Sequence, residues 1–530
     1  MSAAPATVRR LTGAVLAGVA SVLALSVAGL SWIAWGALVP LFVALDGAPK
    51  AVTLLVTTAY ALVLGLGSLG PWLTRAIAAY FEIGASRAAA YTLPALALIS
   101  VGHGLVLGVL LLARPRQAGV WDVVWCAAVW TCWEAVRTLV FPYYPAAVLA
   151  LSQHAMPAVL QVASVCGFAG VTFVLAAFNV GVASLLRTSS GTRRILAALT
   201  GIAIALGAFG WGMVRLSSRR PAPRGLQVVA VDVDAADQSA STLDRYLAAS
   251  EDPATARPGL LVWPESALTV DIEHDRTAWA VLDRFIESHA VPLLAGGPAI
   301  ERRSGHELAH FNAAHLIVPQ HGMSSYHKRG LVPFAERWPA LFGAPPAGLA
   351  SLDAGSEATV FHLRDDAFGV LICFEIADGA LARALVRNGA RFIVTLTNDA
   401  WFGARAPHRA WAQVRAVETG VPVLRSANAG SSVLFDGFGR ELRDSVPDGG
   451  PSLLTVELPA GAPTLYARAG DIFLVGCLAV VLVGVVSAWR SSGTMRGTIG
   501  VSPRGGDTPR LKHPWDSPEG PAGVDSPTGC

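Results

Sequence analysis

Seven apolar runs fill most of residues 11–217, and a chain that carries so many of them must place them in lipid or bury them in one another. A bilayer core about 30 Å thick takes roughly 20 residues of helix. Runs of that order lie near 11–30, 32–46, 51–70, 91–113, 119–139, 157–186 and 195–214, the second of them short. An eighth, DIFLVGCLAVVLVGVVSAW, occupies 471–489. Of 530 residues, 53% are hydrophobic and only 15% are Asp, Glu, Lys or Arg, against roughly 25% charged in soluble proteins. Arg9-Arg10 before the first run has the look of a secretory leader. Six more runs follow and no small-residue cleavage site ends it, so it is expected to be a membrane helix.

The charge pattern narrows the partners. A net charge of +3 over 40 basic and 37 acidic residues gives no strong field for nucleic acid, and no nucleic-acid-binding signature is present. Arg9, Arg10, Lys50, Arg114, Arg116, Arg187, Arg193, Arg194 and Arg490 fall on one side if the runs alternate from an inside N-terminus. Only Arg75 and Arg87 occupy the short loops opposite. Basic residues in short loops stay in the cytoplasm, so seven crossings place the segment that follows outside, and the eighth returns the tail inside.

Residues 224–465 change character. Short β-branched runs, LQVVAVDV (226–233), GLLVWPES (259–266), VPLLAGG (291–297), FNAAHLIVP (311–319), FGVLICFE (368–375) and RFIVTLTND (391–399), read as strands. Segments 276–289, 378–389 and 407–420 read as helices between them, giving an α/β domain. The expected organisation is a transmembrane domain over 1–217, the α/β domain over 224–465, a last helix over 471–489 and a disordered, Gly/Pro/Ser-rich cytoplasmic tail over 491–530.

The six cysteines show no CxxC spacing and no paired framework, which excludes a disulfide scaffold. Four lie in apolar stretches and one is the last residue, leaving Cys373 alone in the polar part. A thiol is nucleophilic as thiolate and near pKa 8.5 is mostly protonated at neutral pH. It needs a base and a cation. Glu265 in WPES, Lys328 in YHKRG and Cys373 in LICFE supply one of each, every one at the end of an apparent strand. A carboxylate can take the thiol proton, and an ammonium favours the thiolate and meets an oxyanion. On spacing alone the plainer reading stands ahead: a buried small thiol and two solvated charges.

The words around these residues add to that reading. WPES (263–266), K-x-x-LVPF-x-E (328–336) and CFE (373–375) followed by TLTNDAWFG (395–403) resemble the nitrilase superfamily, whose members carry a Glu-Lys-Cys triad on an α-β-β-α sandwich. More narrowly, HKRGLVPFAERWP (327–339), SWIAWGALVPLFVAL (31–45) and WEAVR (133–137) look like the bacterial apolipoprotein N-acyltransferases. The resemblance implies a nitrilase-like sandwich inserted in a polytopic helical membrane domain of about eight transmembrane helices. It makes Glu265 the general base, Lys328 the charge-stabilising group and Cys373 the nucleophile. Glu336 would support the lysine, Glu375 matches a further family glutamate, and the N–H of Phe374 is a second oxyanion donor. Trp401 and Phe402 match an aromatic loop near the acyl chain. The sequence departs from the family in VVAVDVDAADQSAST (228–242), which lacks a tryptophan, and in Phe374, where tyrosine is frequent.

Plainer roles stand beside these. Glu336 and Glu375 could pair with Arg337 or Arg425, and Trp401 and Phe402 could be core aromatics. Glu134 and Arg137, three apart on one helix, could neutralise each other or stand at the site's doorway. His103, inside an apolar run, is expected to make a hydrogen-bonded helix contact. The implied reaction moves an acyl chain from a phospholipid donor, through a Cys373 thioester, to the α-amino group of a diacylglyceryl-cysteine lipoprotein acceptor. A monomer in the cytoplasmic membrane is expected, with its catalytic domain outside, no cofactor and no metal. A membrane-tethered amidase is the competing enzyme, and a non-catalytic scaffold the other alternative.

Overall fold

Backbone polar groups in lipid must be satisfied within their own segment, so the apolar N-terminal part folds as helices. A computed structural model describes residues 4–27, 29–114, 119–140, 147–187, 191–218, 222–233, 241–251, 258–303, 308–338, 351–400, 407–428, 430–445 and 452–497. Its first helices are α1 (Ala4–Ser26), α2 (Val39–Ala44), α3 (Lys50–Tyr80), α4 (Ala85–Leu111), α5 (Val120–Val140), α6 (Pro157–Leu160), α7 (Ala163–Ser184) and α8 (Gly191–Leu216). Glycines let neighbours approach closely. Gly18 faces Tyr60 and Val63, and Gly67 faces Val22, so α1 and α3 run parallel, while Gly104 and Gly108 place α4 antiparallel to α3.

Six helices among the described residues are long and apolar enough to cross a membrane. The expected eight are not reached, for two physical reasons. The helix α5 has the length, at 21 residues, but carries Asp122, Glu134 and Arg137. The run at 32–46 is not one helix: it is a 3₁₀ segment (Ser31–Trp35) and the six-residue α2, about 9 Å long at 1.5 Å per residue. Its chain nevertheless returns to the end where α1 starts, because Arg10 of α1 donates to the carbonyls of Ala44 and Asp46. Irregular backbone at this depth is tolerated only when buried in protein. Asn179 of α7, fully buried, supplies what the break leaves open. Its Oδ1 accepts from Leu38 N at 2.9 Å and its Nδ2 donates to Ala34 O at 3.0 Å.

The run at 157–186 is also broken. Gly167 takes φ +65° inside α7, and a Cβ there would stand 2.4 Å from the Tyr466 ring, so only glycine lets the helix bend and pass. The end of the bundle holding the start of α1 is tied by ions: Arg187 pairs with Asp46 at 2.7 Å and with Asp122, and Arg114 with Asp122 at 3.0 Å.

The rest of the packed unit, Met1–Val486, is a sandwich followed by the first part of a last apolar helix. In chain order come β1 (Pro223–Asp232), α9 (Thr242–Ser250), β2 (Leu260–Trp263), α10 (Arg276–His289), β3 (Leu293–Arg302), β4 (Leu308–Val318), β5 (Gly322–His327), β6 (Val360–Leu363), β7 (Asp366–Ile372), a 3₁₀ turn (Cys373–Ala377), α11 (Gly379–Arg387), β8 (Phe392–Asn398), α12 (His408–Thr419), β9 (Val423–Asn428), β10 (Val433–Phe435), β11 (Glu441–Asp444), β12 (Ser452–Pro459), α13 (Leu465–Ala469) and α14 (Ile472–Gly497). One sheet has the order β12-β1-β2-β3-β4-β5, the other β11-β10-β9-β8-β7-β6. The trios β1-β2-β3 and β7-β8-β9 are parallel, and their strands are apolar on both faces because both faces are covered.

The alternation assigns each layer. Val228, Ala230, Val262 and Leu294 of the first sheet meet Phe368, Val370, Phe392 and Val394 of the second in one core. Val229, Leu261 and Leu293 point the other way, onto Leu282 and Ile286 of α10. Leu371, Ile393 and Val423 face Leu385 of α11 and Val417 of α12, and that layer continues into α5 and α7 of the bundle. Phe168 stands edge-on to Trp411 at 4.8 Å, and its N–H donates to Glu418 at 2.7 Å. The sandwich is therefore α-β-β-α. The helix α14 runs to Gly497, past the expected end of the last run, and the remaining tail lies outside the described residues, as do 234–240 of the atypical loop.

Replacing Asn179 by Leu removes the partners of one buried N–H and one buried C=O, each worth about 1–3 kcal/mol when orphaned. Thermal unfolding of Asn179→Leu in detergent should show a loss of about 2–6 kcal/mol. An unchanged midpoint would contradict this account of the broken segment.

Candidate active site

Three strand ends converge between the sheets. Strand β2 ends at Trp263, and Pro264 turns the chain so that Glu265 follows, with Ser266 in the left-handed region at φ +62°. A Cβ on Gly296 of β3 would lie 2.7 Å from Glu265 Cα, so glycine is required for this turn to pass. Strand β5 ends at His327 and delivers Lys328, whose N–H is held by Asn312 O at 2.8 Å. Strand β7 ends at Ile372, and Cys373 starts the 3₁₀ turn at φ +54°. A non-glycine residue there costs about 1–3 kcal/mol and persists only where its surroundings over-determine it.

Glu375 supplies much of that determination. Its Oε1 accepts from Tyr326 Oη at 2.8 Å, Arg329 N at 2.8 Å and Gly330 N at 2.9 Å, and its Oε2 from Ile372 N at 2.7 Å. One carboxylate thus ties the lysine-bearing loop to the cysteine turn. Burial holds the Glu375 carboxyl above its usual range, against the pull of those donors.

The charges form one cluster. Lys328 Nζ donates to Glu336 Oε1 at 2.8 Å and lies 3.6 Å from Glu265 Oε1. Burial, at 1% exposure, works against its ammonium, yet Glu336 and Glu265 outweigh it and raise the Lys328 pKa above the ordinary lysine value. Burial likewise opposes the Glu336 carboxylate, but Lys328 wins and holds it below the usual carboxylate range. Glu336 Oε2 accepts from Val332 N at 2.8 Å, closing its own loop. Burial, and then the negative charge of Glu265, push the Cys373 thiol well above its ordinary value, with Lys328 pulling the other way. The geometry therefore holds a thiol beside a carboxylate that can take its proton and an ammonium that can meet the charge left behind.

Two partners of Glu265 were not among the expected site residues. Asn312 Nδ2 donates at 2.9 Å to both Glu265 Oε1 and Glu336 Oε1, and the N–H of Asn398, at the end of β8, donates at 2.9 Å to Glu265 Oε2. The available signal for Asn312 was a lone amide inside an apolar strand, since a buried polar group needs partners. Phe374 follows Cys373, and its ring joins Val332 on an apolar cluster of Leu69, Trp72 and Leu73 of α3, Leu96 of α4 and Ala147. Trp401 and Phe402 lie outside the described residues.

The plainer alternatives sort out. Glu336 pairs with Lys328, not Arg337, while Arg425 is taken by Asp399. Glu134 and Arg137 stand 3.7 Å apart, and Glu134 also accepts from Thr172 Oγ1 at 3.0 Å. Glu134 lines a cavity of about 420 Å³ behind the cysteine turn, along with Thr172, Leu331, Phe374, Glu375 and Glu418. The carbonyl of His103 accepts from Trp133 Nε1 at 2.8 Å.

A sandwich of this kind with these groups at its strand ends belongs to the carbon-nitrogen hydrolases, and residues 226–464 match the family described as carbon-nitrogen hydrolase. Residues 17–181 match a second description, apolipoprotein N-acyltransferase N-terminal domain. A relative from Gloeobacter violaceus, named apolipoprotein N-acyltransferase, is 30% identical over 424 residues, 75% of this chain and 78% of its own. One of the same name from Geobacter metallireducens is 28% identical over 401 residues, covering 72% and 77%. Among solved structures, an amidase from Nesterenkonia sp. is 19% identical with a TM-score of 0.36, over 46% of this chain and 94% of the amidase. The chain belongs to the apolipoprotein N-acyltransferase family.

Two variants test the cluster. Glu265 raises the Cys373 pKa by its charge, so in Glu265→Gln the pH midpoint of iodoacetamide alkylation should fall, by about one unit on the scale of a near charge, while enzymatic turnover is lost. A midpoint that stays or rises would remove Glu265 from the thiol's surroundings. Asn312→Leu deletes two hydrogen bonds to charged groups, each worth about 1.5–3 kcal/mol, and turnover should drop at least about 100-fold with the protein still folded. Turnover within a few-fold of wild type would show that the amide does not hold the two carboxylates.

Proposed function

We propose that this protein transfers a fatty acyl group from a phospholipid to the α-amino group of the N-terminal diacylglyceryl-cysteine of lipoproteins. Family membership supports the reaction, and one observation carries the mechanism. Glu265, Lys328 and Cys373 meet at the end of a membrane-crossing bundle, where the residue after the nucleophile packs on side chains of α3 and α4.

In the first half-reaction Glu265 takes the Cys373 proton as the sulfur attacks the ester carbonyl. The oxyanion forms near Lys328 Nζ and the N–H of Phe374. The lysophospholipid leaves as an alcohol, receiving the proton from Glu265, and an acyl thioester remains. In the second half the acceptor amine attacks the thioester, Glu265 takes a proton from nitrogen, and Cys373 departs as thiolate and is reprotonated. The products are an amide and free enzyme, the exchange of a ping-pong scheme. Glu336 holds Lys328, and Glu375 holds the turn that presents Cys373. Trp401 and Phe402 are assigned to the acyl chain by family likeness.

The apolar cluster running from Leu69 to Phe374 supports a lipid donor, since its side chains lead from the bundle to the nucleophile's neighbour. An amidase acting on small soluble amides has no use for that route, and its reading is not favoured. Arg10, Arg114 and Arg187 gather at the end of the bundle away from the sandwich. Basic residues of that kind stay in the cytoplasm, which supports an extracytoplasmic catalytic domain in the cytoplasmic membrane. A monomer is taken as the working unit.

Purified protein given phospholipid vesicles should gain one acyl mass on Cys373, and adding a diacylglyceryl-cysteine peptide should discharge it with formation of N-acyl peptide. Accumulation of free fatty acid without N-acyl peptide would instead establish a hydrolase, and no adduct at all would point to a scaffold.

A further inference from the structure

We propose that Tyr80, the last residue of α3, is a positioning residue that sets the Lys328–Glu336 pair from the membrane bundle. The inference rests on the catalytic reading of Cys373 given above. At 31 residues and about 1.5 Å per residue, α3 is about 46 Å long, well beyond a hydrocarbon core of about 30 Å. Its final turns therefore project toward the sandwich. There Tyr80 Oη donates to Ala335 O at 2.7 Å, and Phe81 meets the Tyr80 ring edge-on at 4.9 Å.

Ala335 sits in a tightly closed turn. The N–H groups of Ala335, Glu336 and Arg337 all point to Val332 O, at 3.3, 2.8 and 3.2 Å, and Phe334 N donates to Arg337 O at 2.8 Å. Phe334 takes φ +66°, so the turn is strained. Glu336 closes it from the other side by accepting from Val332 N, and the same carboxylate holds Lys328. Tyr80 thus grips the carbonyl directly before the residue that fixes the ammonium. Val332, the hub of the turn, packs on Leu69, Trp72 and Leu73 of the same helix. Pro71 lies among these contacts, between Leu69 and Trp72, and removes one helical hydrogen bond there. A polar and an apolar contact from one helix segment therefore hold the strap that carries Glu336.

The charged groups that bear on the Cys373 thiol are Glu265 after β2, Lys328 after β5 and Glu336 in the strap, with Glu375 on its own turn. If Tyr80 fixes the strap, removing its hydroxyl loosens Lys328, and the thiolate loses part of its stabilisation. Tyr80→Phe deletes one hydrogen bond and leaves the ring. Two readouts are compared with wild type: acyl-adduct formation on Cys373 from phospholipid vesicles, and the pH midpoint of iodoacetamide alkylation. The expected result is a threefold to tenfold slower adduct, the scale of one hydrogen bond, together with an alkylation midpoint shifted to higher pH. An alkylation profile that coincides with wild type overturns the proposal, and if the adduct alone slows, Tyr80 serves only the lipid route. Failure of wild type to form any adduct would sink the acyl-transfer reading, while the alkylation comparison would still decide the role of Tyr80.

Discussion

A lysine ammonium that is 1% exposed cannot remain charged beside a bilayer unless its neighbours replace the water it has lost. Lys328 has Glu336 at 2.8 Å and Glu265 at 3.6 Å, and most of the site can be read as the means of keeping them there. Two carboxylates brought to one ammonium repel each other, so Asn312 stands between them and donates to both. The second oxygens are held by backbone N–H groups of Asn398 and Val332. Removing one member of such a buried cluster leaves the others uncompensated, which costs more than the lost contact itself. The chemistry gains from the same arrangement. Under the proposed reaction, the ammonium that keeps two carboxylates together is also the fixed charge that a developing oxyanion meets without reorganisation.

The bundle solves the same problem without catalysis. Asp122 is buried between Arg114 and Arg187, and Glu134 is satisfied by Arg137, Thr172 and the N–H of Leu149. Asn179 completes a backbone that two short helical pieces leave open. In each case a polar group that lipid would penalise is turned inward and paired, which lets α5 and the 31–46 segment sit among apolar neighbours although neither is a uniformly apolar span.

What could be read from the sequence follows from these interactions. Short words such as WPES and CFE carry Glu265 and Cys373 because the turn that presents each group is local: a proline before one, a strand end before the other. The apolar strands β1, β7 and β8 were legible for the same reason, being buried on both faces. Asn312 and Asn398 were missed because their partners lie 47 and 133 residues away along the chain, a pairing no local pattern encodes. Strands β5, β6 and β9 to β12 were missed too. The strand β5 (GMSSYH) and β11 (ELRD) are short and largely polar, and β9 carries Arg425, whose buried charge is paired with Asp399, the residue after β8. The segment at 32–46 read as a span because its composition is apolar, and composition does not reveal that Gly36 and Pro40 interrupt it.

The strain at Cys373 belongs to this account. A left-handed φ turns the chain at Cys373 out of the line of β7 and into the 3₁₀ turn while the residue stays buried. Such a conformation relaxes unless something opposes it. Glu375 is placed to do so: it is two residues beyond the cysteine, yet it accepts from Ile372 N, immediately before the cysteine, and so spans the strained residue. Its other oxygen reaches Arg329 N and Gly330 N, next to Lys328. The strained turn and the lysine loop are thereby held by one rigid group, and a displacement of either is felt by the other. A carboxylate fits this role better than an amide would, because all four of its partners are donors and an amide can turn only one acceptor oxygen to them.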